Sequence, residues 1–238
     1  MTLRSAVSFL TPVGGARTPS AATLDWFWLV GAALGAAVGA VWWASAHVWP
    51  AALAAAIAVA ADLALTGMLH FDGLLDSADG LLPPMDRRRR LQVMSTPDVG
   101  AFAVGAGASA LALRWAALWA LKPSLLITTA LWCLSRSGMA LVARTQPYAR
   151  EGEGGGLASA FAGRTRALPI ALGVAVSVAA ACGWRPLAGG ISVVAATLAG
   201  VGVVALGRAR LGGYTGDVLG ASGYLAETVG LVVAAARW

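Results

Sequence analysis

Charge is what this chain has least of. Asp, Glu, Lys and Arg make up 12% of its 238 residues, against about 25% in an ordinary soluble domain. Hydrophobic residues make up 58%, and the mean hydropathy is +0.74. Too few polar side chains remain to cover a water-facing surface, which excludes a soluble fold of this length. Cysteine is also scarce. Cys133 and Cys182 both lie within apolar stretches, so a disulfide framework is excluded in favour of two buried small hydrophobes. The 30 glycines have no period and sit among Ala, Val and Leu, which removes collagen-like and disordered readings. A basic patch is missing as well. The net charge is +6, but the basic residues are spread between apolar stretches, and no nucleic-acid partner is expected. Pro12, Gly14 and Gly15 interrupt the order a signal peptide requires.

What remains is apolar helix. A membrane crossing needs roughly 20 apolar residues, and spans are expected near 26–46, 51–70, 101–121, 124–143, 167–183, 187–207 and 218–236. The second and last are the weakest, because they contain Asp62 and Glu227. The expected fold is all-α: a polytopic integral membrane bundle of about seven helices in a single domain, 1–238. The abundant alanine and glycine would let its helices approach closely. The connections alternate in charge. Arg4, Arg17, Arg87–Arg90, Arg144, Arg150, Arg164, Arg166, Arg208 and Arg210 fall on one side, and Lys122, Arg185 and Arg237 on the other. Twelve against three places the N-terminus in the cytoplasm and the C-terminus outside. Trp42, Trp43, Trp49, Trp115, Trp119, Trp184 and Trp238 would then mark the outer interface, and Trp26 and Trp28 the inner one.

The longer polar segments (71–100, 144–166, 208–217) all fall on the arginine-rich side, which points to one site facing the cytoplasm. Six of the eleven acids lie between Asp62 and Asp98. Asp72, Asp76 and Asp79 are spaced i, i+4, i+7, within roughly 60° of one another on a helix. Like charges in that register repel, and Gly73 and Gly80 add about 1 kcal/mol each against a helix. A divalent cation would offset the repulsion, and oxygen-only donors favour Mg²⁺ or Mn²⁺. The bland reading is an exposed acidic turn. Asp217 either caps the last helix or joins a site. Glu227 lies well inside a span, where an ionisable group is costly; Asp62, Arg114 and Arg136 either share that role or pair with one another. Arg144, Arg150 and the Arg87–Arg90 run either bind phosphate or anchor the loops to membrane lipid. Glu151–Gly156 reads as a lid or a linker. His70 lies about 160° from Asp72 on a continuous helix, and shares its face only if the backbone breaks near Gly73.

The segment Leu69-His70-Phe71-Asp72-Gly73-Leu74-Leu75-Asp76-Ser77-Ala78-Asp79-Gly80-Leu81 resembles the signature of the cobalamin synthase (adenosylcobinamide-GDP ribazoletransferase) family. Four further segments match in order: Phe9-Leu10-Thr11-Pro12; Val93-Met94 through Asp98-Val99-Gly100; Leu134-Ser135-Arg136 with Arg144 through Pro147-Tyr148-Ala149; and Gly213–Ala221 with Glu227. Ser95-Thr96-Pro97 departs from the pattern, where the family more often has a charged stretch. The resemblance implies a membrane transferase in which α-ribazole, or its 5′-phosphate, attacks adenosylcobinamide-GDP. GMP leaves, and cobalamin or its 5′-phosphate forms. It implies Mg²⁺ on Asp72, Asp76 and Asp79 as the metal-binding, catalytic carboxylates. His70, Arg136, Arg144, Arg150, Asp217 and Glu227 are the implied substrate-binding residues, and one aspartate, Asp79 for example, would take the ribose hydroxyl proton. A UbiA-like prenyltransferase would also set aspartates on Mg²⁺-diphosphate, but with a second Asp-rich motif. A cation transporter would use Asp62, Arg136 and Glu227 as a pathway. An oligomer is compatible with the sequence, which does not specify one.

Overall fold

The computed structural model of the chain describes residues 2–15, 17–150, 160–161 and 165–238. The Glu151–Gly156 segment and Arg164 lie outside them. The described residues form an all-helical bundle: α1 Thr2–Leu10, a 3₁₀ turn Ala21–Trp26, α2 Phe27–Ser45, α3 Ala51–Leu65, α4 Leu69–Leu81, α5 Arg87–Val93, α6 Ala101–Ala120, α7 Leu125–Thr145, α8 Ala167–Trp184, α9 Pro186–Leu211 and α10 Gly216–Ala234. Six are long and apolar enough to cross a membrane, and a seventh crossing results if α3 and α4 count as one bent span. The chain is a multi-pass membrane protein.

The second span differs from expectation. Instead of one helix over 51–70, the chain turns by 88° between α3 and α4. The cause is local. Gly67 (φ 57°) and Met68 (φ 60°) both take left-handed conformations, which no α-helix continues. Pro12 packs over Gly67, so the Phe9–Pro12 motif covers this corner. Helix α4 therefore runs across the direction of α3, and its 13 residues, about 20 Å long, are too short to cross a bilayer alone.

Two helices form the centre. In α7 67% of the apolar window is buried within the protein, and in α10 72%, against 22% for α8 and 28% for α9. Helix α7 packs against α2, α8 and α10, while α10 also touches α9, α4 and α6. Glycines allow the close crossings. A Cβ at Gly31 or Gly35 of α2 would strike the α7 backbone at Trp132 or Thr128. Cys133 is buried and Cys182 half-buried, both free thiols. Trp42 does not mark an interface: it is buried between helices, 1% exposed.

Three arginine-rich connections meet at one end of the bundle. Arg87 donates from Nε to the Leu211 carbonyl and from Nη2 to that of Ala149, and Arg150 Nη2 donates to the Leu91 carbonyl. Tyr148 and Tyr214 pair through their backbones. The segments grouped by charge counting are thus physically joined.

Candidate active site

Helix α4 is continuous through Gly73 and Gly80, and the packing offsets their helical cost. A Cβ on Gly73 would stand 2.8 Å from the Asp217 carbonyl, and one on Gly220 would stand 3.2 Å from His70 Cα. These two glycines let α4 and α10 cross backbone to backbone. The crossing carries Asp217 to the acidic face of α4. Thr215 caps α10, its Oγ1 accepting from Val218 N at 3.2 Å. Asp217 is therefore free of the capping duty considered for it.

Asp72, Asp76 and Asp79 share one face of α4, and their exposure falls along it: Asp72 exposed, Asp76 half-buried, Asp79 buried. Asp72, Asp76, Asp79, Thr96, Pro97 and Asp98 line a polar cleft of about 280 Å³. The Asp76 carboxyl is pushed up to about 7 by burial first, then by the charges of Asp217, Asp72 and Asp79, with Arg150 opposing. Arg150 stands 3.9 Å from Asp217 and donates to Ser95 Oγ at 2.6 Å. Asp79 is already engaged. Its carboxylate accepts the backbone N–H groups of Gly100 (2.5 Å) and Ala103 (2.9 Å), which fixes the N-terminus of α6.

No three His, Cys, Asp or Glu side chains among the described residues are grouped closely enough, as placed, to enclose a metal ion. The donor chemistry nonetheless fits a hard divalent cation. The side-chain donors in the cleft are all oxygens, four carboxylates and the Thr96 hydroxyl, and the only cation that offsets the charge on Asp76 is Arg150.

A second cavity, about 300 Å³, opens beside the cleft and shares Asp72 with it. His70, Asp72, Arg150 and Asp217 are among the residues that line it. Thus His70 reaches a pocket wall on an unbroken helix, on a different side of α4 from the carboxylate row.

Other expected site residues go elsewhere. Glu227 is 1% exposed and is ion-paired with Arg114 (Nη2–Oε2 3.0 Å) and with Arg136. Ser135 Oγ also donates to it at 2.7 Å. Asp62 pairs with Arg114 and accepts Trp132 Nε1 at 2.8 Å. Asp62, Arg114, Glu227 and Arg136 thus form a closed, charge-balanced chain across α3, α6, α10 and α7. Arg136 Nη2 reaches toward His70 Nδ1 at 3.4 Å, joining that chain to the pocket wall. Arg144 donates to the Thr165 carbonyl and does not line the pocket. Arg90 is turned inward, donating to the Gly80 and Leu81 carbonyls at the end of α4; Arg87, Arg88 and Arg89 are exposed.

Sequence reasoning missed the aromatic wall of the pocket. Phe9 from α1, Phe27 from α2 and Phe161 line it together, with ring centroids 5.0–5.9 Å apart. Phe9 lies in a quoted motif, but nothing local to Phe27 or Phe161 signals their convergence.

The profile of the cobalamin-5-phosphate synthase family matches residues 2–235. A protein of Leptothrix cholodnii named adenosylcobinamide-GDP ribazoletransferase is 35% identical over 218 residues, covering 84% of this chain and 79% of its own. Proteins of the same name from Chlorobium phaeovibrioides (36% over 217 residues, 86% and 84%) and Pseudomonas aeruginosa strain PAO1 (37% over 211 residues, 85% and 83%) are similarly related. No solved structure matches the chain.

Proposed function

The chain belongs to the cobalamin-5-phosphate synthase family, and on that premise we propose that it transfers the cobinamide phosphate of adenosylcobinamide-GDP to α-ribazole or its 5′-phosphate. The observation that carries this reading is the juxtaposition of an acidic cleft and a nucleoside-sized pocket sharing Asp72. In the transfer, a ribose hydroxyl oxygen forms a bond to the cobinamide phosphorus, the bond from that phosphorus to GMP breaks, and GMP departs with the electron pair.

Asp72, Asp76, Asp79 and Asp217 would hold Mg²⁺, which supplies charge neutralisation for the diphosphate and the leaving GMP. The hydroxyl proton would pass to a carboxylate oxygen of this row that the cation leaves unbound. Arg150, at the pocket mouth, would contact phosphate oxygens of the substrate. His70 is positioned by Arg136 rather than by a break in α4. The twelve-to-three distribution of Lys and Arg supports a cytoplasmic site in an inner membrane.

The test incubates purified protein with adenosylcobinamide-GDP and α-ribazole, with and without Mg²⁺, followed by chromatography. Cobalamin and GMP should appear in equal amounts, and only with the cation. Absence of both products from an inserted, folded preparation would overturn the assignment.

A further inference from the structure

Behind α4 lies a groove that the transfer does not use. At about 100° per residue, Leu74, Ser77, Ala78 and Leu81 fall on the face of α4 opposite Asp72, Asp76 and Asp79. They line a mainly apolar groove of about 350 Å³. Helix α10 continues its floor from Ala221 to Val232, with Ala106 and Leu113 of α6 on one side and Val203 and Leu206 of α9 on the other. Helix α10 packs against both of these walls. All three helices are long and apolar enough to cross a membrane, and Leu82, Leu113 and Val232 at the rim are exposed. The open side of the groove therefore faces hydrocarbon.

Two polar groups mark this groove. Ser77 is 5% exposed, and its Oγ has no hydrogen-bond partner, a cost that an acceptor in the groove would remove. The Thr228 hydroxyl, by contrast, is already taken by Arg114 and the Tyr224 carbonyl. Val203, Leu206 and Arg210 follow at i, i+3 and i+7, so Arg210 extends the α9 wall toward the arginine-rich end. It is exposed and has no hydrogen bond or ion pair among the described residues. Size selects the occupant. From Ala221 to Val232 the groove follows α10 for about 17 Å, over half of a hydrocarbon core of roughly 30 Å. A helix of that length, about 10 Å across, has roughly four times the volume of the groove, so a second protein's helix does not enter; a single extended hydrocarbon chain does. We propose that the groove is a phospholipid site. One acyl chain lies along α10, an ester carbonyl accepts from Ser77, and the phosphate meets Arg210. The lipid then braces, from behind, the helix that carries the carboxylate row.

The full-length protein is purified in detergent, stripped of lipid and titrated with dioleoyl phosphatidylglycerol. Native mass spectrometry counts bound lipid, and melting temperature is followed in parallel. The parent should hold one lipid more tightly than any others and melt higher with it. Ala106→Phe fills the groove from a partly exposed position on α6, and should remove both that lipid and the gain in melting temperature. Arg210→Gln should weaken binding about five-fold. Arg237→Gln, the same loss of charge at an exposed site beyond the far end of α10, should leave it unchanged. Ser77→Ala deletes an unpartnered hydroxyl, so the lipid-free variant should melt at or above the parent while its gain from lipid shrinks. An undiminished gain in Ser77→Ala would sink the ester contact. Detergent as the only occupant, or a parental tight lipid in both Ala106→Phe and Arg210→Gln, would overturn the site. None of these readouts requires cobalamin formation, so the transferase reading stands or falls separately.

Discussion

The protein holds two groups of charged residues about one helix, and they are built on opposite rules. Within the bundle, Asp62, Arg114, Glu227 and Arg136 alternate in sign and close on one another. Across α4, Asp72, Asp76, Asp79 and Asp217 are all acids and face one arginine, Arg150. Burying a charge is tolerable only when it is paired, and the first group meets that condition without any ligand. The second does not: burial first, and then the repulsion left standing among these acids, lifts Asp76 to about 7. Balanced charge inside the bundle closes on itself, whereas the acids at its edge are left facing a single guanidinium.

That contrast is broken most severely by removing charge from the acidic row. Asp72→Asn and Asp76→Asn should each lower turnover about 10³-fold, since several kcal/mol of charge stabilisation go with the cation site. Melting temperature without Mg²⁺ should hold or rise in the same variants, because like-charge repulsion is relieved. Asp79→Asn should differ by also melting earlier, since an amide cannot accept from both Gly100 and Ala103 as the carboxylate does. Near-parental, metal-dependent turnover in all three would show that this row is not the site.

In the balanced group the loss should be one of stability. Arg114→Ala leaves Asp62 and part of Glu227 unpaired in the core, at a cost of about 3–5 kcal/mol. Glu227→Gln leaves a net positive charge buried between Arg114 and Arg136, so it too should unfold earlier. Thermal unfolding in detergent measures both. A Glu227→Gln protein that melts like the parent but fails in catalysis would move Glu227 into the site.

A smaller effect is expected where the two groups are held together. Gly73→Ala places a methyl against the Asp217 backbone and should cost about 1–3 kcal/mol as overpacking. It also shifts α10 away from α4, so kcat should fall while the protein still inserts. Parental kcat would mean that Asp217 needs no fixed distance from α4.

The smallest effect concerns pH. Asp76 binds its proton more tightly folded, at about 7, than at its ordinary value of 3.8. The stabilisation is full below the lower value and is lost as pH rises toward 7. Without Mg²⁺, the melting temperature should therefore decline between about pH 4 and 7 and then level. In Asp76→Asn that contribution to the decline should vanish, and added Mg²⁺ should oppose it in the parent. A parental profile in the Asn variant would place the perturbed carboxyl elsewhere.

The sequence by itself determined that this chain crosses a membrane several times, which connections share a side, and that Asp72, Asp76 and Asp79 share one helix face. Those properties follow from composition and from a period of 3.6 residues, both local to the chain. Only the tertiary structure decided the partners. Which of Asp62, Arg114, Arg136 and Glu227 would pair depended on helices packed across the bundle. The turn at Gly67 and Met68 depended on two backbone angles that an apolar run does not specify. The meeting of Asp217 with the α4 acids, and of Phe161 with Phe9 and Phe27, joins residues more than a hundred positions apart. Hydrophobic periodicity says which face of a helix is buried, but not which other helix will cover it, and both the acidic cleft and the aromatic pocket are made by that choice.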